Sequence, residues 1–146
     1  MNKKSVYGFG VVAIAAIAGY VLLSGDKPGP ADQSGPLAQG EPIVIVSLPA
    51  ELSADAQIGK RGFDAKCARC HGDNAAGQTG VAPPLVHKIY EPNHHSDAAF
   101  LLAARNGVRS HHWKFGNMPP VKGLTDADLK YIARYVRELQ QENGIN

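Results

Sequence analysis

This chain of 146 residues has few cysteines, few aromatic residues and almost no excess of charge of either sign. It has two cysteines and one tryptophan, and its formal net charge is +2. A charge so nearly balanced excludes the broad basic surface of a typical nucleic-acid-binding protein, so we expect no nucleic-acid partner. Alternating strand patterns are absent after residue 50, and the 16 glycines and 10 prolines favour loops and a linker over long sheets.

The N-terminal part contains a long stretch without charge. Residues 6–23 follow two lysines and include no charged side chain. A helix of that length measures about 27 Å, just enough to cross the hydrocarbon core of a membrane. A cleaved signal peptide is the alternative, because Ala16-Ile17-Ala18 has the form of a cleavage site, but the apolar run continues beyond it. We predict that residues 1–23 are an uncleaved, single-pass anchor in the inner (cytoplasmic) membrane, with the lysines inside and the remaining chain in the periplasm or another extracytoplasmic space.

A linker and one small domain follow the predicted anchor. Residues 24–50 begin as a tether rich in glycine and proline and end in the β-branched run Ile43–Pro49. That run is either an arm laid against the domain or a short edge strand. Residues 51–146 are the predicted globular domain, and a domain this small often needs a metal or cofactor to complete its core.

Three helical segments are predicted in the domain, each behind an N-capping residue. The capping residues are Ser53, Ser96 and Thr125. The last segment has one apolar stripe, formed by Leu129, Ile132, Ala133, Val136 and Leu139. The predicted class is all-α with long connections. The connection from His71 to His95 has little periodicity, and a loop of that length in a compact domain needs something to wrap around.

The stretch CARCH, Cys67 to His71, contains both cysteines of the chain. On a helix its spacing directs two thiols and an imidazole towards one object. A thioredoxin-type disulfide motif would follow a strand, and none is predicted there. Structural zinc needs four ligands, and the other histidines lack the usual partner spacing. The third reading is haem attachment, for which C-x-x-C-H is the signature.

A haem held in this way needs a further axial ligand, and Met118 is the conspicuous candidate. Apart from Met1 it is the only methionine, and it lies in the loop FGNMPPV before the last helix. Methionine is more often a packing residue. A polar loop rich in glycine and proline suits a core role poorly, and Pro119 and Pro120 would stiffen the backbone around the sulfur.

Together these motifs resemble the class I c-type cytochromes over about residues 53–143. The resemblance rests on Cys67–His71, on Pro83–Leu85, on Met118–Pro120 and on the final helix LTDADLKYIARYV. Gly59 and Phe63 are similar to the glycine–aromatic pair of that family's first helix. The resemblance implies a cytochrome c-like fold that wraps one covalently attached haem c. It also implies that the first and last helices cross closely, with Gly59 and Phe63 against Leu129, Ile132 and Tyr135.

The same resemblance implies roles for individual residues. Cys67 and Cys70 would form thioether bonds to the haem, and His71 and Met118 would be the proximal and distal iron ligands. The Nδ1–H of His71 would donate to the carbonyl oxygen of Pro83. Trp113 is expected either to donate its indole N–H to a haem propionate or simply to pack.

The implied function is electron transfer rather than catalysis, because both axial positions would be filled. A membrane-tethered carrier would shuttle electrons between a quinol–cytochrome c reductase or dehydrogenase and a terminal oxidase. A dedicated subunit of one oxidoreductase complex is the alternative. A haem enzyme or gas sensor would need a labile sixth ligand. His111 and His112 lie near the expected distal side, and we interpret them as solvent-exposed residues rather than ligands.

Overall fold

The computed structural model describes residues 37–146. The predicted anchor, including residues 6–23, and the first part of the linker lie outside the described residues. None of the helices found between residues 37 and 146 has both the length and the apolar character needed to cross a membrane.

The described part of the chain is helical, as predicted. Its helices are α1 Ala54–Lys66, α2 Ala68–His71, α3 Asp97–Asn106 and α4 Asp126–Glu142, with 3₁₀ turns at Asp73–Ala75 and Lys88–Tyr90. Between residues 37 and 146 extended pairing is limited to two isolated bridges, Gln78 with Ala82 and Val108 with Met118. The all-α prediction is therefore confirmed for this part of the chain.

The helix starts follow the predicted capping residues. The Ser53 hydroxyl accepts a hydrogen bond from the Ala56 amide at 3.2 Å. Thr125 and Asp128 form a reciprocal capping box at the start of α4. Ser96 precedes α3, but its side chain makes no capping hydrogen bond.

The first helix ends directly before the CARCH stretch. The backbone of Cys67 has φ −112° and ψ −36°, so the regular helix stops at Lys66 and a separate turn, α2, begins at Ala68. The i, i+3 and i, i+4 spacings are kept on both sides of this break, which is why the pattern alone does not reveal it. The last four residues of the CARCH stretch consequently form a separate short helix, which is followed by the C-cap Gly72 with φ +73°.

The core lies where α1 crosses α4, at the close approach that the family resemblance implies. A Cβ placed on Gly59 would lie 1.9 Å from the carbonyl oxygen of Tyr131. The rings of Phe63 and Tyr135 pack at 5.5 Å between centroids, and both side chains are fully buried. A small residue at position 59 therefore allows the two backbones to touch.

The segment before α1 is an extended arm along the domain, and it forms no strand. The amides of Ile43 and Val44 both donate to the carbonyl oxygen of Ala76 at 3.2 Å. Further along, the backbone of Ser47 exchanges two hydrogen bonds with the Asn143 side chain, at 2.9 and 2.8 Å. Of the two possibilities left open by the sequence, the arm is the observed one.

Candidate haem site

His71 is held in the orientation expected of a metal ligand. Its ring nitrogen Nδ1 lies 2.9 Å from the carbonyl oxygen of Pro83, as the resemblance implies. A carbonyl oxygen can only accept, so Nδ1 carries the proton and Nε2 keeps a free lone pair. Burial lowers the pKa of His71, and the hydrogen bond to Pro83 opposes that effect only in part. The imidazole is therefore neutral at ordinary pH and able to bind a metal.

The loop after α2 brings Pro83 back to His71. The Gly77 amide donates to the carbonyl oxygen of His71 at 2.7 Å. Gly77 has φ +74°, and a Cβ on it would lie 2.4 Å from the backbone nitrogen of Pro84, so the chain needs glycine at this approach. The Gln78 side chain also donates to two carbonyl oxygens of α2, those of Ala68 and Arg69. These contacts fix the loop against the helix that carries the imidazole.

The two cysteines are free thiols with different surroundings. Cys70 is exposed, while Cys67 is half-buried at the break between α1 and α2. Burial, and then the proximity of Cys70, raises the pKa of the Cys67 thiol to about 11. The residues before Cys67 form a helix, so the site lacks the preceding strand of a thioredoxin-type motif.

A cavity of about 560 Å³ brings three of the four predicted site residues together. Cys70, His71 and Met118 all line it, whereas Cys67 is not on its wall. Most of the remaining wall is apolar, and its larger members are Val81, Leu85, Phe100, Leu102, Val108, Trp113 and Phe115. Its volume falls in the range of sites for drug-sized ligands and cofactors, about 300–1,000 Å³.

Met118 reaches this cavity from a short closed loop. Its backbone is paired with Val108 through two hydrogen bonds of 2.9 and 3.0 Å, which close the loop of residues 108–118. Gly107, with φ +75°, allows the approach, since a Cβ there would lie 2.5 Å from the carbonyl oxygen of Met118. The loop thus places a thioether and the His71 imidazole on the walls of the same cavity, from two distant parts of the chain.

The indole nitrogen of Trp113 is a buried donor with no hydrogen-bond partner between residues 37 and 146. An orphaned buried donor costs about 1–3 kcal/mol, so its presence in the cavity wall points to an acceptor on a bound group. Tyr90 also lines the cavity. Burial raises the pKa of the Tyr90 hydroxyl, and the nearby Trp113 indole opposes this, although the two groups do not reach hydrogen-bond geometry.

These features fit a haem. The cavity supplies apolar walls for a flat macrocycle, an imidazole with a free lone pair, a thioether, and an exposed thiol beside the imidazole. The orphaned indole suits a propionate oxygen. By contrast, the group of close metal-ligand side chains found in residues 37–146 is His94, His95 and His112, which includes neither cysteine and so disfavours the cysteine–histidine zinc site.

Other wall residues were not assigned to the site from the sequence. Phe100 and Leu102 lie on α3, and both are cavity residues, with Leu102 53% exposed. His111 and His112 are exposed, as expected, yet both line the cavity beside Trp113. The sequence signal for Phe100 is the apolar run of residues 98–104 that contains it.

The comparisons with known proteins agree with this site. The cytochrome c family profile matches residues 56–140. The chain is 36% identical over 116 residues to the cbb3-type cytochrome c oxidase subunit CcoP of Azospirillum brasilense, covering 74% of this chain and 36% of that protein. It is 37% identical over 97 residues to the cbb3-type cytochrome c oxidase subunit FixP of Bradyrhizobium sp. (strain ORS 278), covering 65% of this chain and 31% of that protein.

The chain belongs to the cytochrome c family. That family implies covalently bound haem c and a part in electron transfer. The chain spans about a third of the length of the curated relatives it matches.

Proposed function

We propose that this chain is a membrane-tethered electron carrier with a single haem c and His71/Met118 axial ligation. When bound, the haem supplies one-electron chemistry between Fe(II) and Fe(III). The protein has no catalytic residue in this proposal, because both axial positions are filled by its own side chains. It would pass electrons between respiratory partners at the outer face of the cytoplasmic membrane.

The observation that carries the proposal is the shared cavity of His71, Cys70 and Met118. Cys67 and Cys70 would hold the haem through thioether bonds, and His71 would bind iron through Nε2, the nitrogen left free by the hydrogen bond to Pro83. Met118 would be the distal ligand. A thioether is a soft ligand that favours Fe(II), so this pair of ligands raises the reduction potential.

Trp113, in the cavity wall, would hold a propionate. Its buried indole N–H needs an acceptor, and a carboxylate oxygen would satisfy it through a charge-assisted hydrogen bond. The Trp113 ring is already fixed by packing on His87, at 5.1 Å and 74°, and on Phe115, at 5.9 Å. The donor is therefore oriented before the group arrives.

The surface next to Cys70 would receive the redox partner. Cys70, Val81 and Leu102 are exposed there, which gives a small apolar area at the cavity mouth. Exposed basic residues occupy the flanking segments: Lys66, Arg69, Arg109, Lys114 and Lys122. Such a rim would steer an acidic partner by electrostatic attraction and allow fast dissociation.

A terminal oxidase is the acceptor that the comparisons favour. Both relatives are named as subunits of cbb3-type cytochrome c oxidases. For this chain, residues 6–23 would be the membrane anchor, and the linker would raise the effective concentration of the haem domain near such an enzyme. The second candidate function is a dedicated oxidase subunit, which the same relatives support. The donor in either case would be a quinol–cytochrome c reductase or a dehydrogenase.

Native electrophoresis of gently solubilised membranes, stained for covalent haem and for oxidase activity, tests the proposal. A shuttle is expected to migrate alone as a small haem-positive band. Migration with oxidase activity would contradict the shuttle and support the subunit.

A control chain in which a cleavable secretion signal replaces residues 1–23 should yield soluble periplasmic haem protein, whereas the full chain should stay with the membranes after a high-salt wash.

A further inference from the structure

Four histidines from two separate segments meet beside the haem cavity, and three of them line it: His95, His111 and His112. His94 and His95 lie in the turn before α3, and His111 and His112 lie in the loop of residues 108–118. The ring centroids of His94 and His112 are 5.3 Å apart, and those of His95 and His112 are 5.2 Å apart. No spacing rule in the sequence predicts this cluster, because it forms only when the two segments fold together.

We propose that His94, His95 and His112 form a binding site for a divalent first-row transition-metal ion, with Zn²⁺ as its reference ligand. One ligand atom from each of these three side chains lies within 4.8 Å of the others. Imidazole nitrogen is the ligand type that zinc, copper and nickel prefer among protein oxygen and nitrogen donors. A fourth position would remain for water or an external ligand.

The closest pair already has the spacing of two ligands on one ion. The Nε2 atoms of His94 and His112 are 3.4 Å apart. With Zn–N bonds of about 2.0–2.1 Å and a tetrahedral angle, two nitrogen ligands lie about 3.4 Å from each other. Both side chains are exposed, so they can make the remaining small rotations without disturbing the core.

His95 is prepared for the same role by its backbone partner. Its Nδ1 lies 2.7 Å from the carbonyl oxygen of Ile89, which can only accept, so Nδ1 is protonated and Nε2 is free to bind a metal. This is the arrangement that orients most metal-binding histidines. His111 likewise donates from Nδ1 to a carbonyl oxygen, that of Arg109. It differs in position, because it is not one of the three histidines whose ligand atoms converge.

The two segments are held in place without the metal. In the first, the amides of His94 and His95 both donate to the carbonyl oxygen of Glu91, and the buried Arg137 donates to the carbonyl oxygens of Tyr90 and His95. The positive charge of Arg137 is neutralised by Asp97 at 2.7 Å, so it repels a cation only weakly. In the second segment, the Val108–Met118 bridge closes the loop that carries His112.

A bound ion would therefore clamp the Met118 loop to the turn before α3. The ligands come from the segments that precede and follow α3, and no backbone hydrogen bond joins residues 89–95 to residues 108–118. Metal binding should slow local opening of both segments, including the part of the chain that carries Met118.

The test is Zn²⁺ titration of the full-length, untagged protein with its haem attached, by isothermal calorimetry and equilibrium dialysis. Haem attachment consumes both thiols, which removes them as competing ligands; if the chain carries no haem, alkylation of Cys67 and Cys70 serves the same purpose and keeps this test separate from the proposed function. One Zn²⁺ per chain is expected, with Mg²⁺ giving no binding because it prefers oxygen ligands.

His94→Gln and His112→Gln should each weaken Zn²⁺ binding at least about tenfold, since even the loss of an outer partner of a metal ligand costs that much. His111→Gln is the matched control, because it removes an adjacent exposed histidine of the same loop, and it should keep wild-type affinity. Zn²⁺ should also slow amide hydrogen exchange in residues 89–95 and 108–118 of the wild type but not of His112→Gln. Equal affinity in all variants, or greater loss in His111→Gln than in His112→Gln, would overturn the assignment.

Discussion

Replacing Gly59 by alanine should destabilise the domain, although alanine is the better helix former. A methyl group at this position would lie 1.9 Å from the carbonyl oxygen of Tyr131 and 2.4 Å from its carbonyl carbon. A carbon–oxygen contact normally needs about 3.3 Å, so α1 and α4 would have to separate by about 1.4 Å. Both clashing atoms belong to the backbone, and no side-chain rotation can relieve them.

The expected magnitude follows from two opposing effects. Gly→Ala in a helix interior gains up to about 1 kcal/mol. Overpacking at a rigid contact costs about 1–3 kcal/mol, and the crossing also holds the Phe63–Tyr135 pair together. We expect a net loss in the free energy of unfolding of about 2 kcal/mol, measured by guanidinium unfolding of the haem-loaded protein followed by far-UV circular dichroism.

Gly62→Ala is the matched control, because it makes the same substitution three residues later in the same helix. Its added methyl would lie 3.1 Å from side-chain atoms of Ile132, which can move by a few tenths of an ångström. We expect this variant to be near neutral, since the propensity gain of about 1 kcal/mol offsets a small repacking cost. If Gly59→Ala were as stable as Gly62→Ala, the close crossing would not be what requires glycine at position 59.

Three further predictions concern the site and its support. Met118→Ala should lower the reduction potential and let the reduced protein bind CO, as followed by redox titration and absorption spectra; an unchanged potential would exclude the thioether as a ligand. If the Trp113 indole holds a propionate, Trp113→Phe should change the pH dependence of the reduction potential. A more stable variant with an unchanged reduction potential would show that the unpaired N–H only lowers the stability of the fold. Glu138→Gln should flatten the acid limb of the stability curve: burial alone would raise the pKa of Glu138, but hydrogen bonds from Ser53 and the Arg134 guanidinium lower it overall. Because the folded-state pKa of Glu138 is depressed, this stabilisation is complete above the ordinary value of 4.5 and is lost as the pH falls below it. The free energies of unfolding of the wild type and the variant should therefore converge in acid. Parallel stability curves from neutral to acid pH would refute this role of Glu138.

Local rules predicted the helices well because their signals lie within a few residues of each other. The caps at Ser53 and Thr125 and the buried stripe of α4 follow from short-range hydrogen bonding and from helical periodicity. The break at Cys67 was not predicted, because the spacing of the side chains on either side of it remains helical.

Long-range features were predictable only where a family resemblance supplied them. The hydrogen bond from His71 to Pro83 and the contact of Gly59 with α4 belong to this group. Neither local rules nor the family resemblance predicts the position of Arg137. An arginine in the last helix is expected on the surface, but Arg137 is buried and donates to Asp97 and to two carbonyl oxygens. The histidine cluster depends on the same long-range contacts, because Arg137 fixes the turn that carries His94 and His95.

Absorption spectroscopy of the full chain, produced with c-type maturation machinery, tests the central claim of His71/Met118 ligation most directly. Ligation by His71 and Met118 predicts a c-type reduced spectrum, a far-red sulfur-to-iron charge-transfer band in the oxidised protein, and no response of the reduced protein to CO. A c-type spectrum without that band, or one that changes when CO is added, would contradict ligation by Met118 and would assign the chain a histidine ligand or an open, reactive iron.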